Sequence, residues 1–299
     1  MSPETKAAAF DVRDDGGVTP ASRAGRFGIG FWVGCVIALC LCLLALFAPA
    51  IAPHDPFAQS LVRRLKPPIW AANGSWSYPL GTDAFGRDYL SRLIFGTRIS
   101  LVVGAGAALI AGLIGTTIGI VGGYFGGIAD RVVSYVISTR LALPSLLIAL
   151  AVLQVAGSGL TVVTLVLGFT NWDRFAVVLR TVTRQVRRET YVTRARIIGS
   201  SDWRIITCDV FPNVFSHFVV VFTFEMAQCI LAAAVLSFLG LGIQAPEPSW
   251  GLMMAEGRAW LTADPWLITN AGCALMLLVL AINLVGDGLR ERLTPEGRA

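Results

Sequence analysis

Residues 187–212 read RRETYVTRARIIGSSDWRIITCDVFP, a polar and basic stretch lying between two segments long and apolar enough to cross a bilayer. Arg187, Arg188, Arg194, Arg196 and Arg204 belong in water, Gly199 permits a tight turn, and Pro212 marks a stop. A helix-forming loop of this kind is unusual between membrane spans. It points to a membrane protein built to be gripped on one side by a soluble partner.

Composition agrees with the bilayer. Of 299 residues 55% are hydrophobic and only 14% charged, and mean hydropathy is +0.68, whereas a soluble chain carries about a quarter charged residues. The net charge of +5, clustered in short loops, reads as membrane topology and not as nucleic-acid binding. Five of the six cysteines lie in or beside apolar runs without CxxC spacing, which makes them buried small hydrophobes. With two histidines, His54 and His217, the chain offers no histidine-based metal site.

A spanning helix needs about 20 apolar residues. Six stretches meet this need: 29–51, 99–121, 131–154, 160–181, Pro212 to Gly240, and Pro265 to Val285. The small-residue break VAGSG at 155–159 separates the third from the fourth. The first is longer than a signal-peptide core and ends without a small-residue cleavage site, so it is read as an uncleaved span. Residues 1–28 form a polar tail and 52–98 a loop. The core spans 99–288, with the basic loop at 184–210, and 289–299 is a second tail. Lys6, Arg13, Arg23 and Arg26 precede the first span and the loop from Arg180 to Arg204 is strongly basic. Six spans place both on one side, which is the cytoplasm. Loop 52–98 carries Arg63, Arg64, Lys66, Arg87, Arg92 and Arg98 against that rule; an inside amino terminus is kept on first-span dominance together with the resemblance carried by the blocks below.

Four blocks carry a family resemblance: PLGTDAFGRDYLSRLIFGTRISLVVG (79–104), GYFGGIAD…LALPSLLIALAV (123–152), YVTRARIIGSSDWRIITCDVFPN (191–213), and SFLGLGIQAPEPSWGLMMAEGRAWL…NLVGDGLRERL (237–293). Together they resemble the inner-membrane permease subunits of bacterial ABC importers for dipeptides, oligopeptides and nickel. The third block is similar to that superfamily's EAA motif, with Ala195, Gly199 and Pro212 at the matching spacing. Thr193 and Arg194 replace its lead Glu and first Ala. The resemblance implies an all-α membrane protein of six transmembrane helices, a type I importer permease fold with cytoplasmic coupling helices. It also implies partners: a second homologous permease, two ATP-binding subunits and an extracytoplasmic binding protein, with the lipid bilayer as surroundings. Cargo would be a di- or oligopeptide, or else a nickel chelate or glutathione.

The residues support a division of labour. No GxxxxGK[ST] loop occurs, so ATP and magnesium belong to partner subunits, and this chain is expected to bind no cofactor and catalyse nothing itself. Ala195, Gly199, Ser201, Asp202 and Pro212 shape the coupling loop, with Ser201 or Asp202 capping its second helix. In GTDAFGRD, Thr82 or Asp83 caps a helix starting near Ala84. Asp83, Arg87, Asp88 and Arg92 are candidates for periplasmic docking or an outer gate, with Arg87 and Asp88 exposed. Asp130 caps the third span. Glu225 falls roughly 20 Å beyond Pro212 along a helix, deep in the ~30 Å core, where it either lines the path or makes a structural hydrogen bond. Asn283 is a second path candidate, Asp287 and Arg290 anchor the last span at i, i+3, and adjacent Asp173 and Arg174 each meet water or another subunit. Gly104, Gly106, Gly112, Gly115 and Gly119 are candidate helix contacts. The rival class, an ATP-independent secondary transporter, calls for internal repeats or a chain of intramembrane acids. The sequence offers one such acid and no repeat.

Overall fold

The computed structural model describes residues 28–293. Both tails expected at 1–28 and 289–299 lie largely outside them. Among the described residues the regular structure is helical. Five helices are long and apolar enough to span a membrane, six if one bent pair counts as a span.

The elements used below are α1 (Ile29–Leu46), α2 (Tyr89–Phe125), α3 (Gly127–Leu141), α4 (Ser145–Ala156), α5 (Leu160–Thr170), α6 (Asp173–Val186), α7 (Thr190–Ile197), α8 (Asp202–Phe238), α9 (Trp250–Gly257) and α10 (Trp266–Leu293). The hub is α2. Its 37 residues make a rod of roughly 55 Å at 1.5 Å per residue, well beyond the expected span 99–121. It helps to build three buried clusters. One joins it to α4, α5 and α8. A second lies against α8, α9 and α10. The third packs against α6, α7 and α8.

Glycine makes that centrality possible. A Cβ at Gly115 would lie 2.3 Å from the Trp172 carbonyl, and one at Gly119 would lie 3.0 Å from that of Ala176, so α2 and α6 cross backbone to backbone. Gly104 and Gly112 admit Ile230 and Phe218 of α8, and Gly106 admits Thr164 of α5. All five glycines are helix contacts, as expected of small-residue packing in a bilayer. The first span leans on the last in the same way, through Gly34 against Leu284 and Gly288 against Phe31.

The third expected span is not one helix. α3 and α4 meet at 79°. Pro144 lacks the amide proton that would continue the ladder and pushes Leu143 away from the helical region. The guanidinium of Arg140 covers the exposed carbonyls, donating to the oxygen of Leu143 at 3.1 Å and to that of Thr170, the last residue of α5. The fourth span is α5 and α6 in succession with a step at Asn171–Trp172.

Pro212 does not stop a helix. α8 runs through it from Asp202 to Phe238. The turn before it, Ile205–Val210, is π-helical, with Phe211 N–H donating to Ile206 O five residues back. Widening the turn by one residue accommodates the proline ring and its missing donor without a break.

Candidate functional site

Three sites emerge, one at each end of the bundle and one between. At the end of the bundle that carries the basic loop, α7 closes with Gly199 at φ 88° and a Ser200 N–H bond to Ala195 O at 3.0 Å. Ser201 then caps α8, its hydroxyl accepting from Arg204 N–H at 3.4 Å. Asp202 has a different task from the capping first offered to it. Its carboxylate accepts from the Tyr124 hydroxyl at 2.6 Å, and the Arg196 guanidinium lies over the same ring at 5.4 Å from its centroid. Tyr124 is 1% exposed at the end of α2, so the loop is fastened to the hub helix. The apolar residues of the loop divide. Val192 is buried and Ala195 packs against the same cluster, while Ile197, Ile198 and Trp203 are 79%, 83% and 75% exposed. The result is a knob with an apolar tip and an arginine rim.

At the opposite end, the four charged candidates are buried, contrary to the expected exposure of Arg87 and Asp88. Their exposures are 3% for Asp83 and Arg87, 2% for Asp88 and 0% for Arg92. The helix begins at Tyr89, not near Ala84. Asp88 caps it by accepting from Ser91 N–H at 3.0 Å, while Asp83 closes the preceding turn through Phe85 N–H at 2.8 Å and Arg87 N–H at 3.0 Å. Thr82 instead bridges the loop, accepting from Lys66 N–H at 2.8 Å. Arg87 Nε pairs with Asp83 at 2.6 Å and its Nη2 with Glu256 of α9 at 2.9 Å. Arg92 joins both carboxylates, meeting Glu256 at 2.7 Å. Two guanidiniums and two carboxylates therefore clamp loop 52–88 onto α9. Sequence reading missed Glu256, which is 164 residues from Arg92 and sits in an otherwise apolar helix turn.

Between these ends lies a cavity of about 580 Å³, bounded by α6, α8 and α10. Glu225, Arg174, Asn283, Asp287 and Arg290, with His217 and Thr223, contribute polar side chains, and valines with Phe224 most of the rest. Arg174 Nη1 stands 3.1 Å from Glu225 Oε1. Arg174 is half exposed and also paired within the chain, a partner the expectation of water or a neighbouring subunit did not include, whereas Asp173 is buried against that expectation. Asp287 and Arg290 line the cavity wall in addition to ending α10. Asp130 likewise is not a cap. It holds Arg180 and Arg184, each at 2.7 Å, and ties α3 to α6; Gly126 occupies the cap position.

Residues 115–298 match the family model described as the binding-protein-dependent transport system inner membrane component. The chain belongs to that family. Residues 30–68 also match the N-terminal transmembrane domain of oligopeptide transport permease C. The dipeptide transport system permease protein of Haemophilus influenzae is 36% identical over 89% of this chain and 90% of its own length. The di/tripeptide permease of Pseudomonas aeruginosa is 37% identical over 88% of this chain and 87% of its own. A glutathione transport permease of Pectobacterium atrosepticum is 37% identical over 86% and 84% respectively. A chain of the MetNI methionine ABC transporter in inward-facing conformations shares the fold, with TM-score 0.54 and 16% identity over 69% of this chain and 97% of that one. The permease is therefore a multi-pass transport subunit of type I importer fold, a class that works with ATPase and substrate-binding partners.

Proposed function

We propose that this permease forms half of the pathway of an ATP-driven peptide importer in the bacterial inner membrane, with both termini in the cytoplasm. It pairs with a second, homologous permease. Two ATP-binding subunits hold ATP and magnesium and receive the knob at 190–204, while this chain supplies no ATPase site of its own. A binding protein delivers cargo at the periplasmic end, where Asp83, Arg87, Asp88, Arg92 and Glu256 brace the docking and gating surface from beneath. Glu225 and Asn283 line the route between.

The observation that carries this reading is the knob itself. Its tip of Ile197, Ile198 and Trp203 is apolar and exposed, while its base is bonded to α2 through Asp202 and Tyr124. Apolar tips of this kind are covered by a partner, and the bonded base passes a push on to the bundle. Peptide cargo is supported by the dipeptide and di/tripeptide permeases among the relatives; the glutathione permease keeps a modified tripeptide as the second reading. The test is to purify the co-expressed complex and measure ATP hydrolysis with binding protein and dipeptides, glutathione or a nickel chelate. Stimulation by peptides supports the reading; stimulation by the chelate alone refutes the peptide assignment.

A further inference from the structure

We propose that Arg174 and Glu225 form an exchangeable ion pair that reads the two charged termini of a short peptide halfway along the pathway. This inference rests on the peptide-importer reading above. Both residues lie at one depth. Arg174 is roughly 18 Å from the end of α6 at Val186, and Glu225 roughly 20 Å from Pro212, at 1.5 Å per residue. They face one cavity of about 580 Å³, a size usual for a small-molecule site.

The two poles differ in freedom. Glu225 is 1% exposed and fixed within the unbroken helix α8. The Arg174 side chain is 50% exposed and rises from the first turn of α6, just past the step at Asn171–Trp172. It lies over the Phe224 ring, 5.3 Å from its centroid, so it can swing along that wall. Next to the pair the α6 and α8 walls are largely apolar, with Val177, Val220, Val221 and Phe224, while His217, Thr223 and, on α10, Asn283, Asp287 and Arg290 add polar groups elsewhere in the cavity.

With the pathway empty, the two charges satisfy each other, as a charge at this depth requires. A peptide with free ends offers an ammonium to Glu225 and a carboxylate to Arg174, so each broken contact is replaced. A peptide blocked at one end replaces one contact and leaves the other charge unpaired, which a buried polar site rejects. Selection at this pair therefore falls on the termini, and the apolar part of the wall on α6 and α8 admits varied side chains.

The test uses proteoliposomes holding the whole transporter with purified binding protein. Uptake and ATP hydrolysis are recorded separately for a pool of alanine di- and tripeptides and for the same pool N-acetylated or C-amidated. Glu225→Gln is expected to cut uptake of the free pool roughly ten- to hundredfold relative to wild type. The N-acetylated pool should be spared, and hydrolysis stimulated by loaded binding protein retained. Arg174→Lys keeps the charge but loses the forked donor geometry. It should raise KM for the free pool several-fold and leave the C-amidated pool unchanged, and it decides alone if Glu225→Gln does not assemble. Parallel losses for every pool, or no change in either variant, overturn the proposal and leave the importer reading standing. Failure of loaded binding protein to stimulate hydrolysis in the wild-type complex overturns the importer reading, and the proposal with it.

Discussion

Replacing Glu256 with alanine should release loop 52–88 from the bundle without touching the end that carries the knob. Glu256 accepts from Arg87 Nη2 at 3.0 and 2.9 Å and from Arg92 Nη1 at 2.7 Å, and both guanidiniums are at most 3% exposed. Without it, Asp83 alone faces two buried cations, and Arg92 already has Nε and Nη2 without partners. Removing one partner of a buried ion pair costs about 3–5 kcal/mol. The Glu256 side chain is 18% exposed, so entering water softens the loss and places it near the lower bound. About 3 kcal/mol corresponds to a local opening roughly a hundredfold more populated. Hydrogen exchange of the purified complex, followed by mass spectrometry, reads that change directly. Peptides from residues 60–92 should lose about two orders of magnitude of protection while those from 190–212 hold theirs. Glu256→Gln keeps hydrogen-bonding atoms and should fall between the two. Protection changing by less than about threefold in Glu256→Ala would show that the four charges are not what holds the loop down.

Other perturbations separate the remaining devices. Gly199→Val should weaken transport and ATPase coupling while membrane insertion persists, because φ 88° strongly disfavours a β-branched side chain there although the surrounding space is open; normal uptake would remove the loop from the coupling path. Tyr124→Phe deletes a hydrogen bond to a carboxylate worth about 1.5–3 kcal/mol. Assembly should survive while more ATP is hydrolysed per peptide imported, and an unchanged ratio would refute a transmitting role. Gly115→Ala forces a Cβ against the Trp172 carbonyl and should lower complex stability by about 1–3 kcal/mol in thermal unfolding. Gly106→Ala meets only a threonine methyl at 2.9 Å and should cost less; equal losses would contradict the close crossing of α2 and α6.

The bundle was largely legible because its determinants are local. Apolar runs of bilayer length announce helices, glycines at α2 announce close crossings, and Gly199 announces the turn of the knob. What escaped was set by partners distant in sequence. Arg87 read as water-facing because Asp83 is its one nearby counterion; the second, Glu256, which it shares with Arg92, arrives from α9. Arg174 gained its partner from 51 residues away, and Glu225 its hydrogen bond in the same stroke. The cap was misplaced for a different reason. Thr82, Asp83 and Asp88 are all suitable cap types, and only tertiary packing of the loop picks Asp88. Pro212 misled because a proline forbids a regular turn, not a widened one, and a π-turn leaves the helix whole.

That unbroken helix has a mechanical meaning. Asp202, fastened to the knob, and Glu225, in the membrane interior, are points on one rod roughly 35 Å apart at 1.5 Å per residue. A tilt of about 5° at the knob displaces the other point by about 3 Å on that length, comparable to the 3.1 Å separation of Glu225 from Arg174. Arg174 rides on α6, a different rod that starts at a step in the chain. A change in the angle between the two rods therefore changes the reach asked of the Arg174 side chain along the cavity wall.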